Sequence, residues 1–269
     1  MIIEETYEVI HAKYGQRLNT VTIEKLVAGV YLTAVKLSSG YSGLASNDLN
    51  SSDNCTHSRN RGFGDFTPGN FKGQKVADLF ELSEPTCFIK TLQLAVMNAL
   101  SAELMEDSTY RIIENLDPME LIDLSQKKQV CVIGAFLSYI KKIAESNSDL
   151  KIIELNENAI PEEYRQYYVP PDLAQDVIVK SDIIIITGAS LANHTLDNLL
   201  EFIPAETKVI LVGPTSGLLP DVLFARGVYI IGATRITDSA KMLELVAEGA
   251  AGFHLFNYCA TKICIVNES

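Results

Sequence analysis

The chain has 269 residues, 47% of them apolar and 21% charged, a balance that supports a sizeable buried core and excludes a disordered polymer. Its formal net charge of −12 repels phosphate backbones and anionic bilayers, which argues against nucleic acid and membrane surfaces as partners. The length favours two domains, and the opening Met1-Ile2-Ile3-Glu4-Glu5, with no basic segment and no long apolar stretch, predicts a cytoplasmic protein without a secretory signal.

In chain order, residues 31–37 (YLTAVKL) alternate with period two. They are flanked by 21–27 and, after Ser38-Ser39-Gly40, by 41–45, which predicts an antiparallel meander. Residues 47–73 are rich in Ser, Asn, Asp, Gly and Arg, long for a structureless loop. Within them, 54–70 carries Arg59, Arg61 and Asp65 and reads either as a cover over a ligand between domains or as a disordered excursion or dimer contact. Residues 86–105 form an apolar-rich helix of about five turns, too interrupted by polar residues to cross a bilayer. This first part is α+β.

Asp117-Pro118 reads as an N-cap followed by proline in the first helical position. It leads into a regular rhythm of short β-branched runs at 129–134 (QVCVIG), 151–156, 182–187, 208–213 and 227–232, with a sixth at 262–267. Helical patterns lie between them at 137–146, 173–179, 195–203, 218–224 and 239–248. Runs with so little polar alternation are buried on both faces, as in a doubly wound, mostly parallel sheet. The expected division is 1–115 and 116–269. The five cysteines, Cys55, Cys87, Cys131, Cys259 and Cys264, are odd in number and irregularly spaced, which reads as reduced thiols.

Three stretches together carry a family pattern: Ala95-Val96-Met97-Asn98-Ala99-Leu100, the loop from Thr187-Gly188-Ala189-Ser190 through Asn193-His194-Thr195-Leu196-Asp197, and Gly213-Pro214-Thr215-Ser216-Gly217-Leu218-Leu219-Pro220. They resemble a bacterial and archaeal heavy-metal chelation family whose members have no established reaction. The resemblance spans nearly the whole chain and implies an enolase-N-terminal-like domain fused to a Rossmann-like domain. It also implies an association with metal chelation, or with making or handling a heterocyclic chelator.

Ligands of open α/β sheets bind outside the carboxyl ends of the strands. The candidates at that edge are Gly134 and Phe136 after the first run, and Thr187, Gly188, Ser190, Asn193, His194 and Thr195 after the third. Gly213, Thr215 and Ser216 follow the fourth, and Gly232-Ala233-Thr234-Arg235 reads as a further loop. Glycines allow close backbone approach, and the hydroxyl and amide side chains offer donors to an anionic or heteroaromatic group. The plain alternative makes Asn193 and Thr195 helix caps, the glycines tight turns and Phe136 a core residue.

One glycine at Gly134 falls short of a dinucleotide fingerprint, although Glu154 stands at the spacing of a ribose-binding acid; a standard NAD site is disfavoured. Cys55-x-His57 and the set Cys259, Cys264 and His254 lack the spacing of a zinc site, and His194 is the histidine placed to bind metal or move protons. Three functions stay open. One is a protein that binds or processes a small metal chelate or heterocyclic chelator between its domains. The others are a nucleotide- or S-adenosyl-methionine-dependent enzyme and a homo-oligomer without turnover.

Overall fold

The computed structural model describes residues 1–47 and 65–268. The chain begins with a helix, α1 (Ile2–Tyr14). Its buried residues Ile2, Thr6, Ile10 and Tyr14 fall four apart, on one face, while Glu4 and Glu5 in the first turn and Lys13 in the last suit the helix dipole. The predicted meander follows as β1 (Ile23–Ala28), β2 (Leu32–Leu37) and β3 (Ser42–Ser46), paired antiparallel in that order. After α2 (Val76–Phe80) comes the long helix α3 (Cys87–Glu106), capped by Thr86, whose hydroxyl accepts a hydrogen bond from the Ile89 N–H.

Alternation along the meander buries both of its faces. Val35, Leu37 and Ala45 join the core with α3, whereas Leu32, Ala34 and Leu44 pack with Met242, Leu243 and Val246. Gly43 lets β3 lie directly on α3: a Cβ there would stand 2.2 Å from the Ala95 carbonyl oxygen and 2.4 Å from the Ala99 nitrogen.

The remaining elements are β4 (Arg111–Glu114), β5 (Gln129–Ile133), α4 (Leu137–Ala144), β6 (Asp149–Ile153), β7 (Tyr168–Val169), α5 (Ala174–Ile178), β8 (Ile183–Thr187), α6 (Ala189–Ala192) and α7 (Leu196–Glu201). They continue with β9 (Lys208–Val212), α8 (Asp221–Ala225), β10 (Val228–Ile236), α9 (Ser239–Ala247), α10 (Gly252–Leu255) and β11 (Ala260–Val266). The fold is mixed α/β, with one eight-stranded sheet in the order β4-β11-β10-β9-β8-β5-β6-β7. Strands β10 through β7 in that order run parallel; β11 is antiparallel to β10, and β4 to β11.

Period-two alternation sends Cys131, Ile133, Ile184 and Ile186 into the core shared with α3 and the helices α6 to α8. Val130, Val132, Ile183 and Ile185 face the opposite way, against Tyr139, Ile140 and Ile143 of α4. This two-sided burial is what the runs of aliphatic residues predict.

The connection into this sheet is clamped at Asp117. Its carboxylate accepts from the Met119 N–H (3.0 Å), the Tyr139 hydroxyl (2.7 Å) and the Lys262 ammonium (2.7 Å), while Glu120 accepts from the Asp117 N–H to complete a capping box. Burial disfavours the Asp117 carboxylate, but Lys262, Tyr139 and the Met119 N–H outweigh it and hold its pKa below the ordinary value.

The expected loop Gly232-Ala233-Thr234-Arg235 is strand. β10 continues to Ile236 because β11 pairs with it as far as Ala260. Gly232 serves packing, since a Cβ there would stand 2.3 Å from Pro118 Cγ.

Candidate ligand site at the strand ends

From β5 the chain winds outward through β6 to β7, and from β8 it winds the other way through β9 to β10. The connections therefore part between β5 and β8, and an open α/β sheet presents its ligand crevice at such a switch, outside the carboxyl ends. Three turns meet there.

Gly134, at φ 110°, follows β5, and a Cβ on it would come within 2.9 Å of Thr187 Cβ, so glycine is what lets the first and third turns touch. Gly188 lies against the next turn, where its own Cβ would stand 3.1 Å from the Ser216 nitrogen. Gly213, at φ 140°, completes the row, 3.4 Å from the Gly188 nitrogen by the same measure. Phe136 stands at the start of α4, half-buried and stacked on Tyr139 at 5.6 Å between ring centres, and packs against the core on that face. Glu154, at the end of β6, accepts from the Asn156 N–H in a local turn.

The hydroxyls of these turns are engaged within the protein. Thr187 Oγ1 accepts from the Ala189 N–H (3.2 Å), which leaves its proton free to donate elsewhere. Ser190, buried, donates to the Thr187 carbonyl (2.6 Å). Ser216 Oγ lies 2.6 Å from the carbonyl oxygens of both Gly213 and Gly232, and its single proton serves one at a time. Thr215 is fully buried and its Oγ1 accepts from the Ser46 N–H of β3 (2.9 Å).

Asn193, His194 and Thr195 lie beyond α6, apart from that glycine row. Asn193 Oδ1 accepts from both the Thr195 N–H (3.2 Å) and the Thr195 hydroxyl (2.8 Å), bridging His194, which takes a left-handed φ of 58°. Thr195 occupies the N-cap of α7 without a side-chain cap bond. Partial desolvation and the Lys90 ammonium lower the pKa of His194, which favours its neutral form.

The residue that sequence reasoning left without a role is Asn98. From the middle of α3 its Nδ2 donates to the carbonyls of Leu44 (2.8 Å) and Thr215 (3.2 Å). One helical turn on, Ser101 Oγ accepts from the Leu219 N–H (2.9 Å). Helix α3 thus holds the Pro214–Ser216 turn from the other part of the chain. Both Asn98 partners are remote in sequence, so the hints were a polar residue in an apolar helix face and its place in one of the three stretches that carry the family resemblance.

The donors available do not fit a metal ion held by side chains among the described residues. No group of three His, Cys, Asp or Glu comes together there. Cys131, Cys259 and Cys264 are free but buried, and burial pushes the thiols of Cys131 and Cys264 up to about 12, against the thiolate a metal needs. His254 Nδ1 accepts from the Ala251 N–H (3.0 Å). Cys87 is disulfide-bonded, which corrects the reading of uniformly reduced cysteines. Cys55, His57, Arg59 and Arg61 lie outside the described residues. Among those described, no helix is long and apolar enough to cross a membrane.

The fold, a three-stranded antiparallel sheet and an eight-stranded, mostly parallel one, defines a mixed α/β protein with a Rossmann-type sheet. The chain belongs to the family described as "Putative heavy-metal chelation", whose two models match residues 11–101 and 117–265. It is 25% identical over 268 residues to an uncharacterized protein of Methanocaldococcus jannaschii, covering 96% of this chain and 90% of that one. Two solved structures of family members with unknown function share the fold. That from Pyrococcus horikoshii has a TM-score of 0.77 at 18% identity, covering 99% of this chain and all of the other. That from Desulfitobacterium hafniense has a TM-score of 0.70 at 22% identity, covering 98% and 99%.

Proposed function

We propose that the protein binds, as cargo or substrate, a small metal chelate or heterocyclic chelator in the crevice between β5 and β8. The observation that carries this reading is the row Gly134, Gly188 and Gly213, whose missing side chains bring three turns into contact at the switch point, Gly134 against Thr187. Around it, the Thr187 hydroxyl retains a donor and Phe136 offers an aromatic edge. In this reading the chelator's own atoms hold the metal.

The position of Glu154 at the end of β6 favours a second reading, a nucleotide or S-adenosyl-methionine ligand on the same edge. Native mass spectrometry with metal analysis of protein purified from its own host separates the two. A retained heterocycle carrying a metal isotope pattern supports the first. A retained nucleotide or S-adenosyl-methionine supports the second, and an empty oligomer defeats both.

A further inference from the structure

A second pocket lies on the seam between the two parts of the chain. It is lined by Ser42 and Leu44 of β3, Asn98 of α3, Gly217, and Thr234 and Arg235 of β10, among others, and includes none of the β5 or β8 turn residues. Asn98 is 6% exposed, and its Oδ1 has no hydrogen-bond partner although both Nδ2 donor bonds are made. A buried carbonyl left unpaired in this way costs free energy, and a native fold keeps one where something else supplies the donor. The space in front of it exists because residue 217 is glycine: a Cβ there would sit 3.2 Å from Asn98 Oδ1.

The chemistry of the lining narrows what fits. Asn98 can only accept here, since its donors are spent on Leu44 and Thr215. Arg235, on the same face of β10 as Ala233, brings guanidinium donors to this pocket, and its charge is offset by its ion pair with Glu114; Thr234 faces the other side of the strand. The pocket volume is about 30 Å³, room for roughly two water-sized groups. A neutral group with one donor beside one acceptor matches that size and polarity, whereas a full anion would add unbalanced charge.

We propose that this pocket binds the amide-type edge of a small neutral molecule, an N–H beside a C=O, with the N–H donated to Asn98 Oδ1 and the carbonyl accepting from Arg235. This site is separate from the crevice between β5 and β8, so either can fail without the other.

The test is an NMR titration of the full chain, following the Asn98 side-chain amide and the Gly217 N–H. Acetamide should move both signals saturably. N,N-dimethylacetamide keeps the carbonyl but lacks the donor and should bind about tenfold more weakly, the worth of one hydrogen bond. Acetate should leave the signals unmoved. In Gly217→Ala, whose φ of −74° suits any residue, the added methyl should abolish the acetamide response with little change in melting temperature. Unmoved signals, or equal binding of the two amides by the wild-type chain, would mean that water alone fills the pocket and would overturn the proposal. That comparison needs no variant, so it decides the matter even if Gly217→Ala folds poorly.

Discussion

Two turns at the carboxyl edge of the sheet differ in what holds them. The 187–195 turn is fastened from within: Ser190 donates to the Thr187 carbonyl, and Asn193 accepts from the Thr195 N–H and hydroxyl, all within three residues. The Pro214–Ser216 turn is fastened also from outside, by Ser46 of β3 and by Asn98 of α3, with Ser101 of α3 holding Leu219 just beyond. The first turn takes one bond from the neighbouring strand, Gly188 N–H to the Val212 carbonyl (2.7 Å), but none from the N-terminal part of the chain through these side chains. The second reaches its position only when the N-terminal part has folded against the sheet, so any ligand resting on both turns reads the assembly of the whole chain.

Breaking the outside fastening should cost most. Asn98→Leu leaves the carbonyls of Leu44 and Thr215 without their donor, and at about 1–3 kcal/mol for each buried group the loss is roughly 3 kcal/mol. Denaturant unfolding measures it, and a loss below about 1 kcal/mol would mean that the turn does not depend on α3.

The Asp117 clamp is a second non-local junction, and Asp117→Asn should cost about 2 kcal/mol near pH 7, the scale of hydrogen bonds to a charged group. The folded-state pKa of Asp117 is lowered, so its contribution is present above the unfolded value of about 3.9 and is lost as pH falls through the folded value. The gap between wild type and Asp117→Asn should therefore close below about pH 4, and a gap that persists unchanged to lower pH would contradict this assignment. The internally held turn should give the smallest effect: Ser190→Ala loses one hydrogen bond, worth about 1 kcal/mol. A cost equal to that of Asn98→Leu would erase the contrast between the turns.

The same contrast explains what could be read in the sequence. Runs such as Ile183–Thr187 announce a doubly buried strand by composition alone, and the meander announces itself by alternation. Helix α1 went unseen because Thr6 interrupts its apolar face, and β4 because four residues carry too little pattern. Residues 232–235 looked like a loop since Gly232 and Ala233 are small; the pairing that makes them strand comes from β11, about thirty residues on. At the site, the glycines and local hydroxyls of the turns were legible because turn chemistry is local. Asn98 was not, because its partners lie 54 and 117 residues away.

The central claim, that the meeting turns of β5 and β8 hold a ligand, is tested most directly at Thr187. Its Oγ1 accepts from Ala189, and its proton is the donor left for a bound molecule. Calorimetric titration of the small molecule retained by host-purified protein, with wild type and Thr187→Val, should show about a tenfold loss of affinity, beside a loss of stability of about 1 kcal/mol from the Ala189 N–H bond. Equal affinity for the two proteins would place the ligand elsewhere.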